Sequence, residues 1–245
     1  MSRSCTLAAA TALALCLAAG CGIGGYYYVA GPLNPSSVQG EELAAGQDRE
    51  VTFTRGRLEV RLRPVSDDEL NLQFSSVSQD EQKSTNPFTY GNTPFYDGLD
   101  HTRFTVFHLK VKNYAYPKVR IDPTRVEIVS SNGRHYGSLS LQQLDTFYRA
   151  YAVGYRGNEF DRYQARIQML RRTLFHGDPV LAGQELEGYL VFPALHADVR
   201  AVSVVIHDAA LRFDLHDEPV ETVDIPYLFE RQVRRQFADL PAGAM

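Results

Sequence analysis

Residues 103–113 alternate with a period of two: Thr105, Phe107, Leu109 and Val111 fall on one face, and His108, Lys110 and Lys112 on the other. An extended strand sorts side chains this way, because successive residues point to opposite sides of the backbone. Phe104 and Val106 belong to the second face, so its first half is also apolar and requires a cover. Similar runs recur at 51–54 and 58–62 around Arg55-Gly56, at 70–74, at 125–129 before Asn132-Gly133, and at 185–192, 201–206, 211–215 and 220–223. Short alternating runs bounded by turn residues, with few helices between them, predict a mainly β fold in which antiparallel sheets form a β-sandwich. Pairing 201–206 with 211–215 as a hairpin sets His207-Asp208 and His216-Asp217-Glu218 at opposite ends, about 15 Å apart. The polar stretch 75–100, with Pro87, Gly91, Pro94 and Gly98, reads as a long surface loop.

Two segments carry helical spacing instead. Ser140 and Gln143 have the separation of a capping box, and Leu141, Leu144, Tyr148 and Tyr151 follow at helical intervals up to Gly154 and Gly157. Asn158 is placed to cap a second helix bearing Phe160, Tyr163, Ile167, Leu170 and Leu174, with Arg171 and Arg172 at its C-terminal end and Gly177-Asp178-Pro179 as its stop. This helical pair, an insertion spanning 140–176, is the expected cover for Phe104 and Val106. A short C-terminal helix is expected from Pro226, with Phe229, Val233 and Phe237 on one stripe.

All three cysteines lie within the first 21 residues. Residues 6–19 form an apolar run too short to span a bilayer, preceded by Arg3, which is the build of an export signal. It closes as Leu17-Ala18-Ala19-Gly20-Cys21, which resembles the lipobox of bacterial lipoproteins, although Leu17 stands one position earlier than that pattern prefers. The resemblance implies cleavage before Cys21 and lipidation of that residue, with Gly22 in place of Asp resembling lipoproteins sent to an outer membrane. Residues 1–20 are thus a signal peptide, and 21–48 read as the lipidated Cys and a flexible tether. Such a coil has a mean span of about 30 Å. Residues 49–240 read as one β-sandwich domain. The processed chain carries 24 Lys and Arg against 29 Asp and Glu, a net charge of −5, which argues against nucleic acid as a partner.

The strings Phe107-His108-Leu109-Lys110-Val111-Lys112-Asn113, Asn132-Gly133-Arg134-His135-Tyr136 and Gly183 through Pro193 together resemble the extracytoplasmic immunoglobulin-like domains of bacterial surface lipoproteins. That resemblance implies an immunoglobulin-like β-sandwich in the cell envelope, here with the helical insertion. Each string also has a physical reading: Asn113 ends a strand by bonding nearby backbone, Asn132-Gly133 makes a tight turn, and Gly188 admits a close neighbour.

Catalytic motifs are not evident: the chain has no G-x-S-x-G elbow, H-E-x-x-H pair, phosphate loop or G-x-G-x-x-G. Asp97, Asp100 and His101 are weak candidates for a metal site, since Asp-Gly pairs more often make turns. His108 reads as a structural histidine under the helical cover. Arg149, Tyr151, Tyr155, Arg156, Arg162 and Tyr163, with Arg166, concentrate the residue types of binding hot spots, or else form a solvated helical face with a packed aromatic stripe. The expected function is a noncatalytic, lipid-anchored envelope module for binding or assembly, with no cofactor. Its expected partners are the membrane, through its lipid, and an envelope protein or glycan. The alternative is an envelope hydrolase or metal-dependent enzyme using the 97–101 loop.

Overall fold

A computed structural model describes residues 26–79, 84–92, 101–154 and 159–237. In chain order the elements are β1 (Tyr26–Ala30), β2 (Asn34–Pro35), β3 (Leu43–Ala45), β4 (Val51–Arg55), β5 (Leu58–Val65) and α1 (Asp67–Gln73). Then come β6 (Phe104–Asn113), β7 (Lys118–Val119), β8 (Val126–Ser130), β9 (His135–Gly137), α2 (Leu141–Gly154) and α3 (Glu159–Thr173). The last are β10 (Val180–Leu181), β11 (Glu185–Pro193), β12 (Ala201–Phe213), β13 (Pro219–Glu230) and β14 (Val233–Phe237).

The described residues divide between two compact units, residues 26–29 with 234–237 in one and Ala30–Val233 in the other. In the smaller unit β1 pairs with β14. The Arg235 guanidinium lies 3.5 Å from the centroid of Tyr26, whose ring meets Tyr28 edge-on at 5.7 Å.

The larger unit is a sandwich of two five-stranded sheets, ordered β11-β6-β5-β4-β3 and β2-β13-β12-β8-β9, antiparallel throughout. Between them lies the main core. Val60, Leu62, Phe107, Leu109 and Val111 face it from the first sheet, and Ile128, Val204, Ile206, Ile225, Tyr227 and Phe229 from the second. Phe107 meets Phe192 and Phe229 at 5.9 and 5.3 Å, and the buried Tyr227 hydroxyl donates to the Val60 carbonyl oxygen across the sandwich at 2.9 Å. The alternation of β6 thus does what it predicts.

The outer face of the first sheet carries a second core. Phe104, Val106, Val191 and Tyr189 are covered there by Leu144 and Tyr148 of α2, Ile167 and Leu170 of α3, and by Leu174, Leu70 and Phe88. The helical insertion is therefore the cover that the mixed face of β6 requires. Its capping box forms reciprocally: the Ser140 backbone N–H donates to Gln143 Oε1 at 2.8 Å and the Gln143 N–H to Ser140 Oγ at 3.3 Å. Asn158 lies outside the described residues. Asn113, buried, accepts from the Ala115 and Tyr116 N–H groups and donates to the Tyr116 and Val180 carbonyls, which ends β6 as expected. Gly133 has φ +79° in the β8–β9 turn.

Several expectations are corrected. Residues 70–73 form the second half of helix α1, with Phe74 as its C-cap, and not a strand: Ser66 accepts from the Glu69 N–H, Asp67, Asp68 and Glu69 suit the first turn, and Leu72, which supplied the apparent alternation, is 79% exposed. The stretch 84–92 is no surface loop, since Ser84, Asn86, Phe88 and Thr89 are buried. Run 201–206 and residues 211–213 of the next run are one strand, β12, with a bulge between Ile206 and Ala209 where Asp208 has φ +50°, and Leu215 lies in the turn that follows. The expected C-terminal helix is β13 and β14, because Ile225, Tyr227 and Phe229 bury at period two, which outweighs the four-residue stripe. The Pro226 ring is accommodated there, as β2 pairs with β13 only at Phe229 and Glu230.

The tether expected over 21–48 is structured from Tyr26 onward. β3 pairs with β4, Leu33 joins the main core, and the Gln39 side chain pairs with the Leu228 backbone through both its amide nitrogen (2.7 Å) and oxygen (3.2 Å). Backbone pairing of this kind needs no hydrophobic periodicity, so composition alone suggested a coil. The larger unit accordingly begins at Ala30 rather than near residue 49.

Candidate functional site

At one end of the sandwich the larger unit opens into a cleft of about 680 Å³. Pro64 and Val65 at the end of β5, Phe104 and Val106 at the start of β6, and Leu33 and Leu195 give it an apolar floor. One wall is α1 with the segment that follows it, supplying Asp67, Asp68, Asn71, Tyr90, Gly91 and Asn92. Arg49, His101 and Arg231 complete the rim.

The wall is built by buried amides. Asn86 is fully buried, and its Nδ2 donates to Ser78 Oγ (2.9 Å), Asn71 Oδ1 (3.3 Å) and the Leu70 carbonyl oxygen (3.4 Å), while its Oδ1 accepts from the Phe88 N–H (2.9 Å). Asn71 in turn accepts from Thr89 Oγ1 and donates to the Gly91 carbonyl oxygen at 3.0 Å. Buried polar groups that find all their partners rigidify a loop that lacks regular structure. Gly91, at φ +92°, has no room for a side chain, since a Cβ there would lie 2.4 Å from the Gln79 carbonyl oxygen. The segment is also bolted from the helical side: Tyr148 Oη donates to the Pro87 carbonyl oxygen, Arg103 to that of Asn86 at 3.3 Å, and Arg166 to that of Ser84 at 2.7 Å. The Arg103 guanidinium also stacks 4.3 Å from the Tyr90 ring centroid.

The rim's cations are committed. Arg231 donates from Nε to the Val199 carbonyl oxygen (2.8 Å) and from its guanidinium tip to that of His196 (2.7 Å), and burial lowers its pKa. Arg49 pairs with Glu69, which also takes Arg63 at 2.6 Å. Arg49 sits at φ +62° directly after Asp48 at φ +55°. A left-handed conformation is uncommon for a residue without a short polar side chain, and such conformations cluster at functional positions.

Of the sequence-predicted site residues, His101 lines the cleft, while Asp97 and Asp100 lie outside the described residues. Among the described residues no group of three or more His, Cys, Asp or Glu is placed to hold a metal ion. Arg149 and Tyr163 both bond Asp145, at 2.7 and 2.6 Å, which ties α2 to α3, and Arg162 pairs with Glu159 within α3. Tyr151 is described in its backbone alone, and Tyr155, Arg156 and Cys21 lie outside the described residues. Among the insertion's described tyrosines and arginines, Tyr148 and Arg166 are buried; the hot-spot reading included Arg166 but not Tyr148, and Arg166 is turned inward rather than exposed. His108 is partly buried edge-on to Tyr189 at 5.3 Å, and burial lowers its pKa. None of the cleft's Arg49, Asp67, Asp68, Asn71 or Arg231 was legible beforehand, because no local spacing joins residues that the fold gathers from distant segments.

The two histidine clusters part company. His216, Asp217 and Glu218 are in the β12–β13 turn, where Asp214 accepts from the His216 and Glu218 N–H groups at 2.8 and 2.9 Å. This is ordinary turn chemistry. His207 instead lies in the β12 bulge, with its Nε2 3.0 Å from Glu127, whose other oxygen is 2.9 Å from His135 Nδ1; Asp224 is 3.5 Å from His207 Nδ1. Asp208 beside it pairs with Arg125. The Glu127 hydrogen bond raises the His207 pKa, against partial desolvation and with help from Asp224. Hydrogen bonds from His135 and then His207 lower that of Glu127.

A histidine raised on folding contributes stability that is fully present below its unfolded pKa, about 6.5, and lost as pH rises through the higher folded value. Glu127 acts oppositely, contributing above about 4.3 and losing it as pH falls through its depressed value. In urea unfolding, the stability advantage of wild type over His207→Gln is therefore expected to be full below about pH 6.5 and to shrink as pH rises through the raised value, by less than about 1 kcal/mol, since the pair is about one-third exposed.

No protein-family model matches the chain, and no curated protein matches it significantly. Among solved structures, the yjhA protein from Bacillus subtilis aligns over 71% of this chain and 93% of its own, at 9% identity and a TM-score of 0.36, a likeness too distant to bear on fold or function. Among the described residues no helix is long and apolar enough to cross a membrane.

Proposed function

We propose that the chain is a noncatalytic binding or assembly module of the cell envelope, held to a membrane by lipid on Cys21, with the cleft as its recognition site. The observation that carries the binding role is the cleft's preformed wall: Asn71, Asn86 and Gly91 fix Tyr90 and Asn92 beside an apolar floor before any ligand arrives. The envelope location is supported by the apolar leader ending at Cys21 and by the likeness of three strings to extracytoplasmic immunoglobulin-like lipoprotein domains. In a cell with two membranes, the Gly22 that follows favours the outer one, with the sandwich facing the periplasm.

Fractionation tests the anchor. Wild-type protein is expected with membranes and released by detergent, because two or more acyl chains hold firmly, at about 0.8 kcal/mol per buried methylene. Cys21→Ser is expected in the soluble fraction. Equal partitioning of both forms overturns the lipid anchor. The enzymatic alternative draws support from His101 at the cleft rim. Metal retained by purified full-length protein after supplementation, and lost on Asp100→Ala, would favour that alternative instead.

A further inference from the structure

We infer that the cleft takes a neutral, polyhydroxylated ligand, a short segment of a glycan chain. The inference rests on the binding-module reading and names its ligand class. Two aspartates, Asp67 and Asp68, and two arginines, Arg49 and Arg231, line one opening. An anion entering would meet the carboxylates, and both guanidinium groups are already engaged, Arg49 by Glu69 and Arg231 by two carbonyls. A cation would meet the arginines. A hydroxyl group both donates and accepts, so a polyol satisfies the carboxylate acceptors, the Asn92 amide and those of each guanidinium's five N–H donors not used in these bonds, without bringing charge.

The floor completes the match. Sugar rings carry apolar C–H faces beside their hydroxyls, and Leu33, Val65, Phe104 and Leu195 offer an apolar surface directly beneath the polar rim, with Tyr90 held alongside by Arg103. The cleft's size lies within the range of small-molecule sites, about 300 to 1,000 Å³. The left-handed backbone of Arg49 fits the same role: a glycine would adopt it with less strain, yet an arginine stands there on the rim.

The test is calorimetric titration of the full-length protein, in a detergent without sugar headgroups, against cellotetraose and tetra-N-acetylchitotetraose. Inorganic phosphate and an uncharged hexapeptide serve as comparison ligands. Saturable binding of at least one tetrasaccharide is expected, weakened about tenfold by Asp68→Ala and by Arg49→Gly, the loss of one charged hydrogen-bonding partner. Arg49→Gly is expected to leave the thermal midpoint unchanged or higher, which separates a ligand contact from a structural one. Failure of both tetrasaccharides to bind at millimolar concentration, or binding that survives both substitutions, overturns the inference. Binding of the peptide or phosphate alone, lost in the same variants, also overturns the glycan assignment while leaving the binding-module reading standing. The Cys21 fractionation is independent of all these outcomes.

Discussion

Gly188→Ala is expected to lower the thermal midpoint of the larger unit by about 10 °C, from a destabilisation of about 3 kcal/mol. Gly188 lies in β11, opposite Leu109 of β6, where residues 174–175 cross the outer side of the strand. The crossing is held by the Phe175 N–H, which donates to the Tyr189 carbonyl oxygen at 3.0 Å. A Cβ at Gly188 would lie 2.6 Å from the Phe175 nitrogen, 2.7 Å from its Cα and 2.8 Å from the Leu174 carbonyl carbon. All three are backbone atoms, so no rotamer change relieves the contact. Either the strand or the crossing must move, and the crossing is what joins α3 to the sandwich. Gly137→Ala is the control, since a Cβ there meets nothing within 4 Å and its backbone is not left-handed. Calorimetry of both variants checks the claim; equal midpoints would contradict it.

Asn86→Ala is expected to destabilise by about 3 kcal/mol, because truncation leaves several buried groups unsatisfied at once. The Phe88 N–H loses its acceptor, and Ser78 and Asn71 lose a donor, all in positions with little or no exposure. The damage is local before it is global: hydrogen exchange is expected to rise first at residues 84–92 and in α1, while β6 and β12 keep their protection. Asn86→Asp tests the role of the amide. It preserves the acceptor for Phe88 but removes the donor and buries a charge, so it is expected to be no better than alanine. Wild-type stability in the Asn86→Asp variant would show that the donor side of the network carries nothing.

Much of the scaffold was readable because it depends on near neighbours in the chain. The alternation in β6, the Ser140/Gln143 box, the Asn132-Gly133 turn and the apolar stripes of α2 and α3 each state a local preference that packing then confirms. The errors arose where a local pattern fitted two structures. Leu70, Leu72 and Phe74 alternate like a strand, yet Ser66 and three acidic residues start a helix there. Phe229, Val233 and Phe237 recur like a helix, yet the neighbouring Ile225 and Tyr227 bury at period two. Pairing in residues 30–45 depends on partners up to the far end of the chain, such as Asn34 with Glu230 in the sheet and the Gln39 side chain with the Leu228 backbone, and leaves little trace in composition. The cleft was hidden for the same reason. It lies where the ends of β5, β6, β11 and β13 meet, so its residues become neighbours only through the sheet order.

A binding module moored by its own N-terminus is most directly tested by mass spectrometry of the protein isolated from its native membrane. The mature chain is expected to begin at Cys21 and to carry the added mass of acyl chains on that residue. A chain that retains Met1–Gly20, or one that begins elsewhere without lipid, would contradict the anchor.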